Sequence, residues 1–169
     1  MVYTMNFPFE DLDRMTALPS KKAWLAFLEK QSETSLLMID LDNLKRFQDV
    51  RGLHSGDKAI RMVADILAER WTQSVVPCRW GGEEFGVAVL GLDRAGISAL
   101  AEQIRSVVEK KFFPDYHTGE LVNMTVSVGV GYRKTGSQCP LQHLLEHADR
   151  ALCESKDKGR NRTIIKEVD

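Results

Sequence analysis

Three cysteines, Cys78, Cys139 and Cys153, are too few, too scattered and odd in number to build a disulfide framework. No CxxC or Cys/His spacing marks a zinc site, so free thiols in a reducing cytoplasm are expected. Excess charge is also missing. The formal net charge is −1, which excludes a general nucleic-acid binder and leaves any grip on phosphates to a few placed cations. Long hydrophobic runs are absent: Met1 to Glu10 has no basic stretch followed by an apolar one, and nothing reads as a membrane span. No internal repeat or low-complexity tract interrupts the chain. What is present, 169 residues of which 43% are hydrophobic, suits a short lead-in (1–12) and one compact domain (13–169).

Periodicity places the elements. Ser20 is positioned to cap a helix running to about Gln31, with Ala23, Trp24, Phe27 and Leu28 on one face. Ser35 to Ile39 is a continuous apolar run ending at Asp40, the pattern of a strand buried on both faces. A helical stretch from Asn43 breaks near Gly52, and a glycine-bounded loop, Gly52 to Asp57, is expected to lead into a helix from about Asp57 to Trp71. Gly81-Gly82 between two β-prone runs signals a hairpin, on the expectation of glycines at positive φ. Ile97, Leu100, Ala101, Ile104 and Val108 mark a further helix. Met124, Val126, Val128 and Val130 alternate with small residues, as in a half-buried strand, and Leu141 to Leu152 forms the clearest helical stripe. Thr163-Ile164-Ile165 closes as an edge strand. The expected order is α, β, α, α, β-hairpin, α, β, α, β: one sheet covered by helices.

Chemistry gathers around Gly81-Gly82-Glu83-Glu84-Phe85. A glycine turn lets backbone approach a ligand, and two glutamates are hard oxygen donors suited to Mg²⁺. Asp40-Leu41-Asp42 ends the buried strand, where side chains face the crevice in which α/β sheets commonly bind ligands. If the hairpin tip lies beside that end, Asp40, Glu83 and Glu84 repel one another unless a divalent cation neutralises them. The bland alternatives are an ordinary turn with solvated acids, and Asp40 and Asp42 capping the next helix. Lys45 and Arg46 are placed to reach phosphates or to lie on the surface. Asp57 reads as a helix N-cap or as an acceptor for a guanine edge. Lys156, Lys158 and Arg160 surround a glycine stop, where cations complement a helix dipole or clamp a triphosphate.

The strings Asp13 to Lys22, Asp40 to Lys45, Gly56-Asp57, Arg79 to Phe85, Thr125 to Val130, Ala148 to Leu152 and Lys156 to Asn161 follow one another with a familiar order and spacing. From Asp13 to Ile165 the chain resembles the GGDEF domain of diguanylate cyclases in its GGEEF form. The resemblance implies an α/β (α+β) fold, a central, mostly antiparallel sheet flanked by helices, like nucleotidyl cyclases and polymerase palm domains. It implies a cytoplasmic enzyme that condenses two GTP into cyclic di-GMP and two pyrophosphates, in a site shared by a homodimer and driven by a sensor domain or partner outside these residues. On the family's pattern, Asp40, the Leu41 carbonyl, Glu83 and Glu84 hold Mg²⁺, with Mn²⁺ as an alternative. Glu83 and Lys45 are the catalytic residues, Glu83 assisting deprotonation of the ribose 3′-hydroxyl. Gly81 and Gly82 admit the nucleotide, Lys45, Lys156 and Arg160 bind phosphates, and Gln48 and Asp57 read the base.

Two departures from the family's pattern bear on activity. Gln48 replaces an asparagine with a side chain one methylene longer, and Leu53 stands where a histidine is usual, His54 being displaced by one. They keep open a GTP-holding regulatory module without turnover, or a cyclase that also accepts ATP. The window Thr72 to Val75 lacks the Arg-x-x-Asp product-inhibition charges, so no feedback through that site is expected.

Overall fold

The computed structural model describes residues 10–169, so of the expected lead-in only Glu10 to Leu12 falls among the described residues. The chain runs α1 (Lys21–Leu28), β1 (Thr34–Leu41), α2 (Leu44–Arg51), α3 (Leu53–Ala68), β2 (Val75–Arg79), β3 (Glu84–Leu90), α4 (Arg94–Lys110), β4 (Phe112–Pro114), β5 (Leu121–Asn123), β6 (Val126–Arg133), α5 (Leu141–Asp157) and β7 (Thr163–Val168). Five strands make one sheet in the order β2-β3-β1-β6-β7, and β4 pairs with β5 in a separate two-stranded ladder. All the pairings in the main sheet are antiparallel except that of β6 with β7. Among the described residues no helix is long and apolar enough to cross a membrane.

Central β1 is buried along its whole length, as its unbroken apolar run predicts. Successive side chains leave opposite faces. Leu37, Ile39 and Leu41 join Phe85, Val87 and Val89 of β3 in a core with α3 and α4. Leu36 and Met38 join Trp24 and Leu28 of α1 and Leu144, Ala148 and Leu152 of α5 on the other face. By the same alternation Asp40 faces the α5 side. Ser20 caps α1 as expected, its Oγ accepting from the Ala23 N–H at 3.2 Å. Trp24, fully buried, donates its indole N–H to the Val76 carbonyl at 2.9 Å, which ties α1 to edge strand β2.

Three expectations need correction. α3 begins at Leu53, not near Asp57, so all of the expected loop after Gly52 is helix. Gly52 alone, at φ 84°, separates α2 from α3, because one left-handed glycine suffices to turn the chain. Strand β6 is buried on both faces rather than half-buried. Its small alternate residues face a helix instead of solvent: a Cβ on Gly129 would lie 2.1 Å from the Leu152 nitrogen and 2.3 Å from the Ala148 carbonyl oxygen. Bare backbone there lets α5 pack directly on the sheet. The third correction is the β4–β5 hairpin, two three-residue strands too short to announce themselves by alternation.

Candidate functional site

Strand register assembles the acidic cluster. β1 and β3 pair so that Asp40 stands opposite Glu84, and the Leu41 N–H donates to the Glu83 carbonyl at 3.2 Å. Cross-strand partners project from one face, so both carboxylates stand on the side covered by α5. From the last turn of that helix Lys156 places its ammonium 2.9 Å from Asp40 Oδ2. Asp40 is only 4% exposed.

The electrostatics follow from this crowding. Burial raises the Asp40 carboxyl above its ordinary range, with Asp42 adding to the effect while Lys156 and, at longer range, Arg160 oppose it. Glu83 and Glu84 are raised first by burial and next by the charge on Asp40, with Lys156 again opposing. Burial acts to lower Lys156, but its hydrogen bond and attraction to Asp40, helped by Glu84, outweigh that and raise it. Three carboxyls that resist ionisation share one ammonium. Among the described residues, no three Asp, Glu, His or Cys side chains are gathered closely enough to hold a metal ion. The donor chemistry nonetheless suits a hard divalent cation: the side chains offer only carboxylate oxygens, they raise one another's proton affinity, and a lysine serves as their counter-ion.

Asp42 has a different task. Its carboxylate accepts from the Thr125 hydroxyl at 2.7 Å, the Ser127 hydroxyl at 2.6 Å and the Asn161 N–H at 3.0 Å. It pins the end of β1 to β6 and to the loop after α5, which carries Arg160 and Asn161 in left-handed backbone. Neither Asp40 nor Asp42 caps α2. The residue at that position is Asn43, at φ 56° and without a side-chain cap bond.

The remaining expected residues are spread around this centre. Lys45 is exposed on the first turn of α2. Gln48 folds across the next helix, so close that a Cβ on Gly56 would lie 2.5 Å from its amide nitrogen, which sets it one residue from Asp57. Asp57 lies a turn inside α3 and is half-buried, so its N-cap reading fails. Leu53 is 69% exposed, and His54 stacks on Tyr116 with ring centroids 4.8 Å apart. Gly81 and Gly82 form the expected turn, but neither is among the glycines at positive φ. Their contribution is open backbone: a Cβ on Gly82 would meet nothing within 4 Å.

Three contributors escaped the sequence reading. Lys21 lies 3.9 Å over the Trp80 ring and draws Glu84 down, while Asp149 of α5 pushes it up. Arg79 donates from Nε to the Gly81 carbonyl and from Nη2 to the Gly82 carbonyl. Its place at the end of a strand entering a glycine turn was the available signal.

Comparison with known proteins adds an independent line. Residues 10–162 match the family model described as diguanylate cyclase, GGDEF domain. Diguanylate cyclase A of Treponema denticola is 36% identical over 137 residues, covering 81% of this chain and 36% of that protein. The chain thus spans about a third of that curated relative. The GGDEF domain of DgcB from Caulobacter crescentus, solved in complex with c-di-GMP, superposes with a TM-score of 0.84 at 30% identity, covering 92% of this chain and 95% of that one. The active GGEEF domain of a diguanylate cyclase from Vibrio cholerae superposes with a TM-score of 0.68 at 27% identity, covering 86% and 88%.

Proposed function

Since the chain belongs to the GGDEF family of diguanylate cyclases, we propose that it condenses two molecules of GTP into cyclic di-GMP, releasing two pyrophosphates. The observation that carries the reading is Asp40 standing opposite Glu84 at adjoining strand ends, with Glu83 next to it and within reach of Asp40's charge, and Lys156 bonded to Asp40 from α5. Each half-reaction joins a ribose 3′-oxygen to the α-phosphorus of a second GTP as that phosphorus loses pyrophosphate. One domain presents one nucleotide, so two copies facing each other complete the ring.

The residues divide the work. Asp40, the Leu41 carbonyl, Glu83 and Glu84 would hold Mg²⁺, or Mn²⁺ in its place. Bound there, the ion supplies Lewis-acid stabilisation of phosphate charge and a more acidic 3′-hydroxyl. Glu83, half-buried beside Asp40, has the raised proton affinity a general base needs, and accepts the 3′-hydroxyl proton. Lys45, Lys156 and Arg160 meet the β- and γ-phosphates. Gly81 and Gly82 let the nucleotide lie on bare backbone, and Gln48 with Asp57 accepts and donates along the guanine edge. A sensor or partner outside these residues sets the encounter of the two copies.

A second reading rests on Gln48. Its longer side chain lies folded on Gly56, which alters the reach of the base-reading amide and favours slower turnover or admission of ATP. Incubation with Mg²⁺ and GTP, ATP or both, followed by chromatographic separation, distinguishes these outcomes. Cyclic di-GMP that vanishes in Glu83→Ala supports the leading reading. GTP binding without product, even when dimerisation is enforced, replaces it with a regulatory module. Adenine-containing dinucleotides establish relaxed base choice.

A further inference from the structure

The turn between β2 and β3 leaves its backbone groups divided. The N–H groups of Trp80 and Gly81 both donate to the Glu84 carbonyl, at 2.9 and 3.1 Å. The carbonyls of Gly81 and Gly82 both accept from the Arg79 guanidinium, one from Nε and the other from Nη2. The guanidinium is itself held in place. Nη1 lies 3.5 Å from Asp13 Oδ1 and 3.7 Å from Met15 Sδ, and its carbon sits 5.5 Å from the Phe85 ring centroid. The Arg79 side chain is 11% exposed.

A trans peptide points its N–H opposite its C=O, and no peptide among the described residues is cis. Anchoring the Gly81 carbonyl on Arg79 therefore turns the Gly82 N–H the other way. Anchoring the Gly82 carbonyl does the same to the Glu83 N–H. Among the described residues neither of these N–H groups has a partner within the protein. Gly82 is exposed, with open space around its Cα. Two adjacent, outward, unpaired amides are an anion-receiving pair of the kind that binds phosphoryl oxygens.

We infer that Arg79 is a positioning residue that aims the Gly82 and Glu83 amides at a phosphoryl oxygen of the bound nucleotide. This rests on the nucleotide reading of the site and adds a backbone receptor to it. Arg79 itself touches no substrate. It cancels the two carbonyl dipoles that would otherwise repel a phosphate and locks both peptide planes with one rigid fork. A lysine, with a single flexible ammonium, cannot hold both carbonyls in fixed orientation.

The test follows the amide signals of Gly82 and Glu83 in an isotope-labelled sample. On addition of a non-hydrolysable GTP analogue with Mg²⁺, both proton resonances should move downfield, as expected of a newly formed hydrogen bond. In Arg79→Ala and Arg79→Lys that shift should be lost, and exchange of the Trp80 and Gly81 amides should accelerate about tenfold, the size expected when a charge-assisted bond of roughly 1.5 kcal/mol is removed. Added ethylguanidinium should restore the shift in Arg79→Ala but not in Arg79→Lys, which a general loss of fold would not show. In active enzyme, kcat should fall by about 100-fold, as for loss of an oxyanion donor, with KM little changed. Analogue binding that shifts Gln48 and Asp57 but leaves Gly82 and Glu83 unmoved overturns the inference and spares the nucleotide reading. Retention of the Gly82 and Glu83 shifts in both variants overturns the role of Arg79. Failure of the analogue to bind the unmodified protein ends the nucleotide reading and the inference with it.

Discussion

Lys156 Nζ lies 2.9 Å from Asp40 Oδ2, so an ammonium from the end of α5 occupies the carboxylate expected to hold a divalent ion. The two cations compete for one oxygen. Lys156→Met should therefore bind Mn²⁺ alone about tenfold more tightly, taking a charge-assisted hydrogen bond as worth roughly 1.5 kcal/mol. The same change should weaken triphosphate binding, because it removes the lysine proposed as a phosphate ligand. Titration of the paramagnetic ion by electron spin resonance reads the first effect and nucleotide calorimetry the second. Equal Mn²⁺ affinity in the two proteins would refute the competition.

Gly129→Ala tests how closely α5 must approach. A methyl there meets the backbone of Leu152 and Ala148, atoms that cannot rotate aside, so the helix must lift. Overpacking of this kind costs about 1–3 kcal/mol. The urea midpoint should fall accordingly. Activity should drop further than stability alone explains, since a lifted α5 withdraws Lys156 from Asp40.

Acid should loosen the corner formed by α3 and the β4–β5 hairpin. Asp115 accepts from the Thr118 N–H at 2.8 Å, the Thr118 and Ser55 hydroxyls at 3.0 Å each and the His117 N–H at 3.0 Å. The Thr118 N–H leads in holding the carboxyl well below the usual carboxylate range, against the effect of burial and with help from the other donors. A carboxyl depressed by folding stabilises fully above the free-chain value of about 3.9 and loses that contribution as pH falls towards its folded value. Between pH 5 and 2 the unmodified protein should lose stability more steeply than Asp115→Asn. Parallel acid limbs in denaturant melts would rule this out.

Under the proposed reaction, product should not inhibit through the turn before β2. Thr72 to Val75 holds no charged side chain, and the Thr72 hydroxyl is occupied by the Ser74 and Val75 N–H groups at 3.2 and 3.0 Å. In steady-state assays cyclic di-GMP should inhibit only at concentrations comparable to those of GTP. Half-inhibition far below substrate concentration would contradict the expectation.

Legibility in the sequence varied with the physical signal. The buried β1, the α5 stripe and the hairpin were all readable, because burial on two faces, a 3.6-residue period and paired glycines each leave a mark on composition. The convergence of Asp40 with Glu84 was readable as a conditional, since it needed only that the hairpin tip reach the end of β1. Other features left no such mark. Small residues at 127, 129 and 131 look the same whether they face water or a helix backbone, so β6 was assigned an exposed side it lacks. Gly52 and Gly56 looked like the two ends of a loop, whereas one turns the chain and the other makes room for Gln48. The Gly81-Gly82 pair suggested unusual dihedral angles where open space was the requirement. Asp42 acts through hydroxyls and a backbone N–H brought together by the fold, and no spacing along the chain encodes such partners.

The ladder between β1 and β3 imposes a discrete scale on this protein's tolerance of insertions and deletions. Asp40 faces Glu84 because every residue back to Thr34 and Leu90 is matched one to one. Gain or loss of one residue within either strand would send one of the two carboxylates through to the opposite layer, among the side chains of α3 and α4. Fine adjustment of the distance between the acids is therefore closed to the backbone and left to side-chain length. Variation in chain length should accordingly accumulate outside Thr34–Leu41 and Glu84–Leu90, in connections such as that between β4 and β5.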